Sequence, residues 1–281
     1  MTPTQGRHLL AELNVQPSKA LGQSFLVDAN ILRIIVTEAD LRRDETVLEI
    51  GPGLGVLTAE LMARAGRVVA IEKDRRLCEY LRQEFPGLDL REGDAVELLG
   101  SGFGVRGSGF PVPGSGFKVV ANLPYSVSTP LLERLGEAPV KPRRMVVTLQ
   151  REVAQRLTAP PRCKDYGALT VLTQLWYHVT IAHVVSPRCF YPAPTVDSAI
   201  VVLDRRDPRV KLEPAARFRE IVRAGFGHRR KMLRKLLAEF GDVEAAFARV
   251  GVKTSARAEE LSLEQWILLA NAFPPGSADR V

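Results

Sequence analysis

Apolar residues over the first two hundred positions fall into short continuous runs separated by amphipathic stretches. Thr46-Val47-Leu48-Glu49-Ile50, Arg67 to Ile71, Leu88-Asp89-Leu90, Phe117 to Ala121 and Met145 to Leu149 read as strands. Helical patterns lie between them: about Asp28 to Ala39 with Ile31, Ile34 and Ile35 on one face, Leu54 to Ala65, Asp74 to Phe85 capped by Asp74, and about Ser128 to Leu135. This alternation predicts an α/β fold with a doubly wound, mostly parallel sheet of Rossmann-like type. Val179 to Val185 and Ser198 to Leu203 are strand-like and could extend its far edge. Beyond Asp204 the strand signals stop. Leu233, Leu236, Leu237 and Phe240 follow the i, i+3, i+4, i+7 rule, with Lys231, Arg234 and Lys235 on the opposite face. Further helices are predicted at about 242–249 and 262–272. The pattern places an α/β domain over 1–204 and a small all-helical C-terminal domain over 205–281.

One stretch interrupts this pattern. Between Gly100 and Phe117 the sequence Gly-Ser-Gly-Phe occurs three times, starting at 100, 107 and 114. A repeat so rich in glycine cannot build a core, so 100–117 reads as a flexible insert between two sheet elements. It is either a tolerated insertion or, through Arg106 and its phenylalanines, a contact for an RNA substrate.

Composition adds charge and compartment. Lys and Arg total 39 against 32 acidic residues, a net charge of +7. From Arg205 to Lys235 there are twelve basic and three acidic residues, so that stretch alone carries +9. Such a concentration is either a solvated helix face or a docking surface for a polyanion. Cys78, Cys163 and Cys189 have no metal-ligand spacing and fit a reducing compartment. His8, His178, His183 and His228 are scattered, and no metal is implied. Met1 to Leu13 has no apolar signal core and no run suits a membrane span, so a cytoplasmic location is expected.

The candidate chemistry gathers at strand ends. The first long strand runs into Glu49-Ile50-Gly51-Pro52-Gly53-Leu54-Gly55, where glycines let the backbone approach a ligand. The dinucleotide pattern G-x-G-x-x-G fails, because its third glycine would be Val56 or Thr58. An E-x-G-x-G-x-G turn suits S-adenosylmethionine instead. Glu72, 21 positions after Gly51, ends the second strand where a carboxylate holds ribose hydroxyls in such sheets. Asp94 follows the third and could accept from the cofactor's adenine amine. Singly, either is equally well a solvated strand-end carboxylate. Asn122-Leu123-Pro124-Tyr125 closes the next strand. The Asn122 side-chain oxygen and the Leu123 carbonyl can each accept a proton of an exocyclic amine, and Tyr125 offers a ring for stacking. Two such acceptors favour localising the amine's lone pair toward an electrophile, which suggests amine methylation. Alone, the tetrapeptide is equally a turn.

Five stretches together resemble a known family. They are Lys19-Ala20-Leu21-Gly22-Gln23-Ser24-Phe25-Leu26; Glu49 to Gly55; Asn122 to Pro130; Phe190-Tyr191-Pro192-Ala193-Pro194-Thr195-Val196-Asp197-Ser198; and Phe226-Gly227-His228-Arg229-Arg230-Lys231, with Arg257-Ala258-Glu259-Glu260-Leu261 beyond. The chain resembles, from about Lys19 to Phe273, the ribosomal RNA adenine N(6),N(6)-dimethyltransferases. The resemblance implies that Ser24 and Leu26 join Gly51, Gly53, Glu72, Asp94 and Asn122 around S-adenosylmethionine. It implies that Tyr125 and Phe190 sandwich the target adenine; read alone, Phe190 is a core aromatic near two prolines. It also implies dimethylation of two adjacent adenosines near the 3′ end of small-subunit (16S) RNA, with a role in subunit biogenesis, by a monomer that docks the subunit. Arg229, Arg230, Lys231, Arg234 and Lys235 are the expected phosphate contacts. Three positions depart from the family pattern: Ser24 where Asn or His is common, Ser126 for Asn, and Thr195 for Lys. Three alternatives remain: a macrolide-resistance-type methyltransferase of large-subunit RNA; a DNA adenine methyltransferase, which could use a similar tetrapeptide although the sequence shows no target-recognition domain; and an RNA-binding assembly or transcription factor whose catalysis is secondary.

Overall fold

The structure is a computed structural model that describes residues 2–17, 22–100, 116–208, 212, 215–228 and 230–273. The predicted insert therefore lies almost entirely outside the described residues. At its end, Phe117 is buried at 3% exposure and its carbonyl accepts from the Arg143 amide, so this residue belongs to the core and not to a flexible segment.

The chain divides into two compact units, 1–154 with 179–205, and 155–178 with 206–281. In chain order, α1 (Pro3–Glu12) and β1 (Phe25–Leu26) precede the sheet. Then follow α2 (Ala29–Ala39), β2 (Thr46–Ile50), α3 (Val56–Arg64), β3 (Arg67–Glu72), α4 (Arg75–Glu84), β4 (Asp89–Glu92) and α5 (Ala95–Leu98). The series continues with β5 (Lys118–Asn122), α6 (Ser128–Glu137), β6 (Arg144–Gln150), α7 (Arg151–Thr158), α8 (Ala168–Trp176), β7 (Tyr177–Val185), β8 (Phe190–Tyr191) and β9 (Ser198–Arg205). The caps are local chemistry: Asp28 and Asp74 accept from the first free amides of α2 and α4.

Seven strands form one sheet in the order β4-β3-β2-β5-β6-β9-β7. β2 to β6 run parallel, and β9 pairs antiparallel with β6. The two later strands thus do extend the far edge, in reversed chain order. One sheet face buries Val47, Val68, Val120, Val146, Ile200 and Val202 in a core with Ile31 and Ile35 of α2 and Leu57 and Leu61 of α3. Alternate residues Val119, Val147 and Val201 are fully buried on the other face. Burial on both faces is why these strands read as unbroken apolar runs.

The second unit is helical, but it does not begin at 205: residues 155–178 join it. Its elements include α8, α9 (Ala215–Phe226), α10 (Leu233–Leu236), α11 (Val243–Val250) and α12 (Leu263–Ala272). Tyr166, Val171 and Leu175 share a core with Phe218, Leu233, Phe247 and Trp266, so 155–178 supplies a wall that the later helices need. The predicted helix over 233–240 is one α turn followed by a 3-10 turn, Ala238–Phe240. Its apolar spacing still holds, since Leu233, Leu237 and Phe240 are buried.

Candidate functional site

Because β2 to β5 run parallel, the C-terminal ends of all four open on one edge, the edge where ligands bind in open α/β sheets. Gly51, Glu72, Asp94 and Asn122 each end a strand or follow one there. A cleft brings together Ser24, Leu26, Gly51, Gly53, Glu72, Asn122, Leu123, Pro124 and Tyr125. A second hollow shares Gly51, Glu72 and Pro124 with it and adds Asp94.

The glycine turn is shaped by steric necessity. Gly51, Gly53 and Gly55 all have positive φ. A Cβ on Gly53 would stand 2.9 Å from the Phe25 ring, too close for any side chain. The turn's Gly53 amide donates to one oxygen of Glu72 at 3.1 Å, and the amides of Lys73 and Asp74 donate to the other at 2.8 and 2.9 Å. Burial pushes the Glu72 carboxyl up, against these three amides. The carboxylate is thus held rigidly at the cleft wall, with one lone pair of the oxygen that faces Gly53 left for a hydroxyl donor.

Glu49, in the middle of β2, also lines the cleft. It is 1% exposed and accepts from the Thr58 hydroxyl at 2.7 Å. Burial raises its pKa to about 8, Thr58 opposes the rise, and the charge of Glu72 adds to it. At neutral pH most molecules therefore hold Glu49 neutral beside Glu72. Its sequence signal was a charged residue inside an apolar strand, which the turn motif absorbed without a separate role. Asp94 caps α5 through Val96 and pairs with Lys73 at 2.8 Å, which holds its carboxyl below the usual range.

Asn122 has a partner that side-chain reasoning did not reveal. Its Nδ2 donates to the main-chain carbonyl of Ser24 at 2.8 Å. A carbonyl only accepts, so the nitrogen must face Ser24 and Oδ1 is directed away from it. The contact uses no Ser24 side-chain atom, so the departure from Asn or His at this position leaves it intact. Tyr125 is half-buried; its hydroxyl meets Ser198 Oγ at 2.5 Å. Phe190 is placed differently from the other predicted residues. It pairs with Leu26 in a two-stranded ribbon and is 3% exposed in the core that holds Ile200, and it lines neither hollow.

In the helical unit Arg230, Lys231, Arg234 and Lys235 lie at the surface, and Arg229 lies outside the described residues. Two basic residues of the charged stretch are also tied within the unit. Arg217 lies 4.5 Å over the Phe240 ring and donates to the Phe240 carbonyl. Arg206 donates to the carbonyl of Gln174.

The fold and the strand-end site together define an S-adenosylmethionine-dependent methyltransferase. Among solved structures, a 23S rRNA methyltransferase, ErmE, superposes with a TM-score of 0.64 at 30% identity, covering 88% of this chain and 98% of that one. A dimethyladenosine transferase from Plasmodium falciparum gives 0.68 at 25% identity, covering 87% and 95%. Among curated proteins, the ribosomal RNA small subunit methyltransferase A of Anaeromyxobacter dehalogenans is 41% identical, over 95% of this chain and 97% of its own length. That of Clostridium botulinum (strain Loch Maree) is 39% identical, over 91% and 94%. The family model described as ribosomal RNA adenine dimethylase matches residues 14–274, and the chain belongs to that family. The methyl donor is S-adenosylmethionine. The cleft suits it: a glycine turn without room for side chains, a carboxylate anchored beside that turn, and apolar walls from Leu54 and Leu57.

Proposed function

We propose that this protein transfers two methyl groups to the exocyclic amine of each of two adjacent adenosines near the 3′ end of 16S RNA, in the small ribosomal subunit. The observation that carries this reading is the Asn122 amide, locked by the Ser24 carbonyl beside the glycine turn. S-adenosylmethionine, when bound, supplies an electrophilic methyl carbon. Ser24, Leu26, Gly51, Gly53, Glu72 and Asp94 hold it. Asn122 Oδ1 and the Leu123 carbonyl accept the two amine protons and aim the nitrogen lone pair at that carbon. No strong base is needed, because the amine nitrogen becomes acidic only once alkylated and then releases its proton to water. Catalysis rests on positioning and hydrogen bonding.

Tyr125 and Phe190 stack the target base; each such contact is worth about 1–3 kcal/mol and helps offset removal of the base from its helix. Phe190 is buried, so neighbouring side chains must move aside before a base reaches its face. Arg230, Lys231, Arg234 and Lys235, with Arg229, contact phosphates. Small-subunit RNA is favoured over large-subunit RNA by the 39–41% identity to small-subunit enzymes against 30% to the 23S enzyme. No helix among the described residues is long and apolar enough to cross a membrane, and we propose a monomer acting in the cytoplasm. The test is incubation with S-adenosylmethionine and under-methylated small subunits, then mass spectrometry of RNA fragments. Dimethyladenosine at two adjacent positions near the 3′ end is expected. Product on 23S RNA alone would transfer the chain to the resistance-type enzymes.

A further inference from the structure

Tyr125 is held at both of its ends. Its carbonyl accepts from Ser128 Oγ at 3.2 Å, at the start of α6, and its phenol tip meets Ser198 Oγ at 2.5 Å. Ser198 itself has no freedom to follow the ring. It is 0% exposed, opens β9 and stands opposite Gln150 of β6. The neighbouring Arg151 amide donates to the Asp197 carbonyl at 2.9 Å, which fixes the main chain just before Ser198.

The sheet register shows where this anchor lies. Asn122 is opposite Thr148, Thr148 is opposite Ile200, and Ser198 is two residues before Ile200. All four side chains therefore project from the same sheet face. Tyr125 leaves the end of β5 and reaches the first residue of β9, so its ring lies across the end of β6 beside Asn122. A tyrosine ring has two side-chain torsions. With its tip and its main chain both tied, the first torsion is fixed, and the place the ring occupies is set before any base arrives; the hydroxyl oxygen lies on the axis of the second torsion, so the tie fixes the ring's position and not the turn of its plane.

We propose that Ser198 is a positioning residue for methyl transfer: it holds in place the Tyr125 ring against which the target adenine lies. The proposal rests on the reading of Tyr125 as a base-stacking residue. Its chemistry is preorganisation, since a ring whose first torsion is already fixed need not be ordered at that torsion during binding. Ser198 is buried and lines neither hollow. It acts only through the phenol.

The test uses the full-length enzyme with under-methylated small subunits. Rates, S-adenosylmethionine affinity and melting temperature are measured for Ser198→Ala, Tyr125→Phe and the double variant, with Tyr125→Ala as a control. Each hydroxyl deletion removes the same hydrogen bond from one side. Each is expected to lower kcat/KM for the subunit about tenfold, and the double variant to fall no further than either single one. Cofactor affinity should stay within about twofold, because Ser198 lines neither hollow. Additive losses in the double variant would show that Ser198 acts elsewhere and overturn the proposal. A loss of cofactor affinity in parallel with activity would make Ser198 merely structural, with the same consequence. If Ser198→Ala does not fold, Tyr125→Phe tests the same bond from the other side, and a full rate there overturns the proposal. The underlying reading has its own arm: unchanged methylation in Tyr125→Ala would remove the stacking role itself. Loss in Tyr125→Ala with full rates in both hydroxyl deletions would remove only the role of Ser198.

Discussion

Glu49→Gln probes the electrostatics of the cleft with a change of one titrating group and almost no change of shape. Glutamine keeps an oxygen to accept the Thr58 hydroxyl, which lies 2.7 Å from the present carboxylate. Burial first, and the Glu72 charge after it, raise the Glu49 pKa from 4.5 to about 8, with Thr58 opposing. The folded protein therefore holds this proton more tightly than the unfolded chain does. The group's stabilising contribution is complete below pH 4.5, is lost as pH rises from there to about 8, and changes no further above that. At about 1.4 kcal/mol per pH unit the whole span sets a ceiling of about 5 kcal/mol. Between pH 5 and pH 8 those two values give a loss of about 3 kcal/mol. For a chain of this size that is a fall of roughly 6–12 °C in melting temperature. Thermal unfolding without cofactor, followed by circular dichroism from pH 5 to pH 9, should give a sloping curve for the wild type and a flatter one for the glutamine variant. Parallel curves would sink the assignment of a high pKa to Glu49. The same logic extends to the cationic cofactor, which favours the ionised carboxylate. Its affinity should rise with pH toward about 8 in the wild type and not in the variant.

Asn122→Ala should reduce methylation at least a hundredfold while cofactor affinity, read by calorimetry, changes little. Ser24→Ala should stay within about twofold of the wild-type rate, because the contact to Asn122 comes from the main chain. Gly53→Ala places a Cβ against Phe25 at a φ of +59°, and should weaken cofactor binding at least tenfold with about 1–3 kcal/mol lost in stability, measured by titration and urea unfolding. Charge reversal at Arg230, Lys231, Arg234 and Lys235 should weaken subunit binding. It should also flatten the salt dependence of that binding, by about one unit of slope for each phosphate no longer neutralised.

Much of this molecule was legible in the chain because parallel strands buried on both faces write themselves as apolar runs; 46–50 and 67–71 are such cases. Asp28 and Asp74 marked helix starts for an equally local reason. The segment 168–176 was not legible: Leu169, Thr170, Val171, Thr173 and Leu175 are all buried, so no single apolar stripe with helical period stands out. Over 233–240 the spacing identified the buried residues correctly, but Gly241, at a φ of +138°, follows a 3-10 turn that no spacing rule encodes. In the site, the glycine turn, Glu72 and Asn122 were legible as strand-end residues. The Ser24 carbonyl was not, since a main-chain acceptor leaves no trace in residue identity. Ser198 was hidden by distance, standing 73 positions from Tyr125.

The helical unit draws on two separate stretches of chain, 155–178 and 206–281. Relatives that share the catalytic fold but act on different RNA invite chimeras made by exchanging everything after the last strand. Such a splice at 205 would leave behind Tyr166, Val171 and Leu175, whose apolar surfaces are completed by Phe218 and Trp266 of the discarded part. The native half would expose a patch and the grafted half would lack a wall. A chimera that keeps its cooperativity has to carry both stretches, so specificity in this architecture is transferable as two grafts and not as one tail.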